Sequence, residues 1–236
     1  MTASQAVGSG DRMRGLYAIA DVAVLGARKV DVVAFASAVL LARPAALQIR
    51  AKGVAARELL SILRAVQPMC RQFRVPLVAN DRADVAALAG CDIVHIGQDD
   101  MPIEMVHRIA PQLGIGVSTH DPEQLARALA HRPTYVAYGP VFPTASKANP
   151  HQVVGPGGLR TAHAMASEAG VPLVAIGGIS LERAYEVALY CNAAAVIAAL
   201  LPPAGAVDMA DVTRRARELH AILLDPEERD EHAEAP

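Results

Sequence analysis

Short runs of apolar and β-branched residues alternate along this chain with longer segments whose apolar residues recur at helical spacing. The runs cover residues 16–20, 46–50, 76–79, 92–96, 114–118, 135–138, 172–176 and 194–198, each the length of a strand buried on both faces. Helices are predicted over 31–42, 55–73, 82–89, 102–110, 122–130, 158–169, 181–190 and 207–224. In the second of these, Leu59, Leu63, Val66, Cys70 and Phe73 form one apolar stripe, and in the last Val212, Ala216, Leu219 and Leu223 do the same. A single stripe packs a helix by one face on a sheet. Two helix starts are marked independently of periodicity. Asp121-Pro122-Glu123-Gln124 combines a cap, a proline and a capping-box glutamine, and Ser180 precedes Leu181-Glu182.

Strands that alternate with helices predict an α/β fold with a parallel sheet. Eight such units, in a chain near the typical ~250 residues, match a single-domain (β/α)8 TIM barrel. A doubly wound open sheet needs fewer strands and a glycine fingerprint after the first, which this chain lacks. Residues 15–224 form the barrel on this reading. A flexible segment, 1–14, precedes it, and an acidic tail without periodicity, 225–236, is expected to be disordered.

Composition narrows the function. With 22 basic and 24 acidic residues the formal net charge is −2, too little to draw the chain to nucleic acid or a membrane surface. Aromatic residues make up 3%, too few for the stacking platforms of single-strand binders. Small-molecule substrates are therefore the expected partners, with no nucleic acid and no membrane, and a homo-oligomer is left open. Cys70, Cys91 and Cys191 have neither metal nor redox spacing, as expected for buried thiols in a reducing cytoplasm. The start of the chain lacks the basic and apolar regions of an export signal, which gives a cytoplasmic expectation.

In a barrel the loops after the strands build the active site, and here polar residues gather at strand ends. Asn80-Asp81 follows the third strand, and Gln98 and Asp100 follow the fourth. Two acids at neighbouring strand tips suit Mg2+, which prefers a few carboxylates beside water and substrate phosphate. They equally suit helix caps. Alternation along Gln48-Ile49-Arg50-Ala51-Lys52 puts an amide and two cations on one side, as a polyanion site or a surface ion-pair cluster would. Ser118-Thr119-His120 ends the fifth strand, where His120 is a solvated histidine or a general base. The long loop after the sixth strand carries Thr144, Ser146 and Lys147, two hydroxyls and a cation for phosphate. Gly177-Gly178 ends the seventh strand at a helix start, where backbone amides can hold a phosphate.

These stretches, together with His95-Ile96-Gly97-Gln98-Asp99-Asp100 and Gly139-Pro140-Val141-Phe142-Pro143-Thr144-Ala145-Ser146-Lys147, resemble the thiamine-phosphate synthase family over strands two to seven. The resemblance implies a transferase of thiamine biosynthesis. Such an enzyme condenses 4-amino-2-methyl-5-hydroxymethylpyrimidine diphosphate with a thiazole phosphate and releases pyrophosphate. It further implies that Gln48, Arg50, Lys52, Asn80, Ser118 and Lys147 hold the pyrimidine diphosphate, with Arg50, Lys52 and Lys147 as the catalytic cations. Asp81 and Asp100 would hold Mg2+, and Thr144, Ser146, Gly178 and the backbone at Ala198 and Ala199 would hold the thiazole phosphate. Pyrophosphate would leave first and the thiazole nitrogen would capture the pyrimidine cation, chemistry that asks for proximity and charge stabilisation. The chain departs from the family at Ala199, where a serine usually contacts the thiazole phosphate. That departure keeps two alternatives in view, a thiazole tautomerase-like isomerase and a non-catalytic paralogue that binds a thiamine precursor. Retention of Asp81, Asp100, Arg50, Lys52 and Lys147 argues against the isomerase, which needs no diphosphate site.

Overall fold

A computed structural model describes residues 13–144, 152–202 and 205–225. Eight parallel strands close into a barrel in sequence order: β1 (Gly15–Asp21), β2 (Ala46–Arg50), β3 (Leu77–Asn80), β4 (Ile93–Ile96), β5 (Gly114–Thr119), β6 (Tyr135–Tyr138), β7 (Leu173–Ile176) and β8 (Ala193–Val196). The helices are α1 (Val22–Ala27), α2 (Val32–Leu40), α3 (Ala56–Phe73), α4 (Ala83–Ala89), α5 (Ile103–Ile109), α6 (Pro122–Ala130), α7 (Gly155–Ala169), α8 (Leu181–Ala188) and α9 (Met209–Leu224). Every strand is buried for most of its length because helices cover the outside and side chains fill the inside.

Strand parity divides the core in two. Outward positions such as Leu16, Leu47, Leu77, Val94, Val136 and Leu173 pack against the helices. Inward positions such as Tyr17, Ile19, Val78, Ile93, Tyr135 and Val174 make a second, separate cluster inside the barrel. Tyr135 lies across Gly116 of β5: a Cβ at that glycine would sit 2.0 Å from the tyrosine Cζ. The bare backbone at Gly116 is what admits a tyrosine into the barrel.

The strands and helices stand close to their sequence-predicted positions, with three differences. Helix α1 was not predicted; at six residues it is too short to display an apolar stripe, and the Asp21 side chain starts it by accepting from Ala23 N and Val24 N. Helix α7 starts three residues early, at Gly155, beside Pro156 in its first turn. Strand β8 stops at Val196 rather than 198, and a 3-10 turn follows at Ala198–Leu200. Among the described residues no helix is long and apolar enough to cross a membrane. Residues 1–12, 145–151 and 226–236 lie outside the description, and with them most of the expected terminal segments and the assignments of Ser146 and Lys147.

Candidate active site

A cavity of about 1050 Å³, counted to its open mouth, occupies the end of the barrel where the strands finish. Gln48, Arg50, Lys52, Asn80, Asp81, Asp100, Ser118, His120, Thr144, Gly178 and Ala198 all line it. Strand order explains the gathering: β2, β3, β4 and β5 are neighbours, so their tips present side chains within one side-chain length of each other.

Asp81 and Asp100 come together above β3 and β4. Helix capping does not account for them, since α4 is capped at Arg82 and α5 at Pro102, neither with a side-chain bond. Asp81 instead sits at φ +65, a left-handed conformation that aspartate tolerates better than most residues. Its amide donates to the His95 carbonyl (2.8 Å). Asp100 accepts from the Gly97 amide through Oδ2 (2.7 Å). Burial, a hydrogen bond to Asp100 and the charge of Asp100 push Asp81 up to about 6, against the pull of Lys52 and Arg50. A carboxyl group whose ionisation is held back by burial and by a neighbouring carboxyl marks a place that a hard divalent cation would suit. Among the described residues no third His, Cys, Asp or Glu joins them, which suits Mg2+ completed by water and phosphate oxygens.

Arg50 and Lys52, from the neighbouring β2 end, stand beside this pair. Lys52 Nζ lies 3.7 Å from Asp81 Oδ2. Arg50 Nη1 pairs with Oδ2 of Asp21, a nearly fully buried acid at the end of β1. Asp21 was not among the expected site residues. Its signal is the strand register, which sets Asp21 beside Arg50, and that becomes readable only once β1 and β2 are known to be neighbours.

Below these charges lies a buried set of polar side chains. Gln48 Nε2 donates to Asn80 Oδ1 (2.8 Å), and Tyr17 donates to Gln48 Oε1 (3.2 Å). Tyr17 and Tyr135 hydroxyls are 2.6 Å apart. His95 bridges Tyr135 (2.8 Å, Nδ1) and Ser118 Oγ (2.8 Å, Nε2). His95, Tyr17 and Tyr135 were not assigned from the sequence, because inside an apolar-looking strand nothing marks a partner more than a hundred positions away. His120 is held by its donation from Nδ1 to the Gly139 carbonyl (2.5 Å) and by Gln124, whose Oε1 accepts from the His120 amide (2.9 Å). The capping-box glutamine thus reaches one residue past Asp121.

The far side of the cavity carries no charged side chain among the described residues and combines glycine backbone with apolar residues such as Ile176 and Ile179. Gly177 and Gly178 adopt φ +102 and +66, and the chain after β6 lies directly on them: Val141 N donates to Ile176 O (2.9 Å) and Phe142 N to Gly177 O (3.0 Å). Arg183 of α8 stacks over Phe142 at 4.7 Å and donates to the Gly178 carbonyl. Ala198 lines the cavity and is exposed to it, whereas Ala199 does not line it and packs against the outer core. The expectation named the backbone at both positions, and of the two Ala198 lines the cavity. Strand parity ends with β8 at Val196, and the turn that follows presents residue 198.

The sequence model of the family described as Thiamine monophosphate synthase matches residues 16–200. A thiamine-phosphate synthase of Koribacter versatilis is 39% identical over 223 residues, 91% of this chain and 98% of that protein. One from Roseiflexus is 38% identical over 211 residues, 88% of this chain and 84% of the relative. Among solved structures, a thiamine phosphate pyrophosphorylase from Pyrococcus furiosus superposes with a TM-score of 0.79 at 30% identity, covering 93% of this chain and all of that one.

Proposed function

The chain belongs to the thiamine monophosphate synthase family, and from that premise we propose how its barrel mouth joins a pyrimidine diphosphate to a thiazole phosphate. The pyrimidine enters the deep end beside Gln48, Asn80 and Ser118, and its diphosphate lies at the mouth between Arg50, Lys52 and the acidic pair. The family resemblance adds Lys147, which lies outside the described residues, to this group. Asp81 and Asp100 would hold Mg2+, which supplies Lewis-acid stabilisation to the diphosphate. The thiazole phosphate binds opposite, at Thr144, Ser146, the Gly178 turn and the amides near Ala198.

The carbon–oxygen bond to pyrophosphate breaks with its electron pair leaving on oxygen. The resulting pyrimidine cation is captured by the thiazole nitrogen lone pair, giving thiamine phosphate. Arg50 and Lys52 stabilise the negative charge that grows on the leaving group, and Asp21 aims the Arg50 guanidinium. The cavity walls hold the second substrate against the cation and shield it from water.

The observation that carries this reading is one cavity with opposed chemistries, two cations beside an acidic pair on one side and glycine backbone with apolar residues on the other. The test is thiamine phosphate formation from the two substrates, with and without Mg2+, in a cytoplasm-like buffer. Product that depends on the metal is expected. Absence of product from folded protein would overturn the reading and favour the isomerase or precursor-binding alternatives.

A further inference from the structure

The buried polar set beneath the cavity is one continuous chain, Asn80–Gln48–Tyr17–Tyr135–His95–Ser118. Its proton order follows from counting protons. An amide oxygen can only accept, so Tyr17 donates to Gln48 Oε1. A phenol has one proton, so Tyr135 must donate in the contact between the two tyrosines. With the Tyr135 proton used there, its contact with His95 needs an N–H at Nδ1. His95 is buried and its contacts in the chain are two neutral hydroxyls, so the imidazole is neutral, which avoids a buried charge. Its lone pair is then at Nε2, and Ser118 donates to it. Burial raises both phenols far above their ordinary range, so each keeps its single proton.

A chain of this kind has only two directions. Reversing any link reverses all of them, from the Gln48 amide to the Ser118 hydroxyl. In the direction found here, Gln48 spends its oxygen and one N–H inside the chain and has a second N–H, while Ser118 spends its proton inward and has lone pairs. Both residues line the cavity.

We propose that Tyr17, Tyr135 and His95 are positioning residues that lock Gln48 as a donor and Ser118 as an acceptor, so that the deep end selects an aminopyrimidine edge over its oxo counterpart. An aminopyrimidine offers a ring-nitrogen acceptor beside an amino donor. A 4-oxo analogue offers a ring N–H beside a carbonyl, the reverse pattern, and leaves both protein groups facing their own kind. This role presupposes the synthase reading only in its choice of ligand.

The test is calorimetric binding of the 4-amino and 4-oxo pyrimidine diphosphates in the presence of Mg2+, with turnover followed separately. Wild-type protein is expected to prefer the amino form by at least about 100-fold, as sites built on hydrogen bonds do. Tyr135→Phe keeps the ring and its stacking on His95 (centroids 5.7 Å apart) while removing the central link. The preference should then fall by about tenfold or more, with the KM for thiazole phosphate unchanged. A merely structural role would weaken both substrates together. Tyr17→Phe should act in the same direction and decides the matter if Tyr135→Phe does not fold. A wild-type protein without preference, or a folded variant that keeps it, overturns the proposal. No turnover together with a preference lost in the variant would sink the synthase reading and leave this role standing; turnover with an unchanged preference would do the opposite.

Discussion

The two sides of the barrel mouth are built by opposite means. Along β2, β3 and β4 the wall is side chains: Gln48, Arg50, Lys52, Asn80, Asp81 and Asp100. Along β6, β7 and β8 it is glycine backbone and uncharged, mostly apolar residues: Gly139, Pro140, Ile176, Gly177, Gly178, Ile179 and Ala198. The side-chain wall fails when an atom is removed, because each group has a charge or hydrogen-bond role. The backbone wall fails when an atom is added. A Cβ at Gly139 would stand 2.0 Å from the Ile176 carbonyl oxygen, and one at Gly178 would stand 2.5 Å from that of Pro143. Deletion and addition are therefore the experiments that separate the two walls.

Deletion on the side-chain wall should give the largest effect. Asp100→Ala removes one of two carboxylates and leaves Asp81 alone to hold Mg2+. Turnover is expected to fall at least about 100-fold, since a metal's charge stabilisation is worth several kcal/mol and each ~1.4 kcal/mol is tenfold in rate. The melting temperature should change little, because Asp100 caps no helix and its hydrogen bonds run only a short way, to the Gly97 amide and to Asp81. Full activity in a folded variant would break the comparison at its charged side.

Addition on the backbone wall comes next. Gly178→Ala puts a side chain at φ +66, a conformation that costs of order 1–3 kcal/mol outside glycine, and drives it into Phe142 and Pro143. The turn must shift, and the KM for thiazole phosphate should rise about tenfold, the equivalent of ~1.4 kcal/mol, while the KM for pyrimidine diphosphate stays put. Equal losses for both substrates would mean that the walls are not separate. Ala198→Ser is the gentler addition. Residue 198 is exposed to the cavity, and a hydroxyl there should lower the thiazole phosphate KM several-fold, short of the ~1.5–3 kcal/mol of a good charge-assisted bond. Ala199→Ser, turned toward the core, should leave it unchanged.

The same contrast explains what could be read in the sequence. Gln48, Arg50, Asn80 and Ser118 could be expected at the cavity because strand parity says which residues point inward, and Asp81 and Asp100 because a barrel collects the loops after its strands at one mouth. Parity stops where a strand stops, and so the sequence named positions 198 and 199 together without saying which of them lines the wall. Asp21 depended on a register between β1 and β2 that only the closed sheet supplies. Tyr17, His95 and Tyr135 were hidden for a related reason: they meet across the barrel from β1, β4 and β6, and no local spacing connects them. The eight strands needed none of this, since apolar runs and caps are local. Helix α1 escaped because six residues are too few to show a period.

The acidic pair also separates the walls by pH. Burial and Asp100 raise Asp81 from 3.8 to about 6 in the metal-free fold. Well below the unfolded value of 3.8, about pH 3 and lower, the group is protonated in both folded and unfolded chains and costs nothing. As pH rises toward 6 the unfolded chain releases its proton first, so the fold holds more protons and loses stability with increasing pH. Asp81→Asn removes that titration, and asparagine accepts the left-handed backbone at this position as readily as aspartate. The metal-free variant should therefore melt with wild type at about pH 3 and several degrees above it by pH 7, on the order of 1–3 kcal/mol once the partial exposure of Asp81 is allowed for. Mg2+ should raise the wild-type melting temperature at pH 7 and recover the difference, but do little for the variant, because only the paired carboxylates offer the metal a site. Parallel melting profiles, with and without metal, would show that Asp81 and Asp100 bear no shared charge, and the side-chain wall would then hold its diphosphate by Arg50 and Lys52 alone.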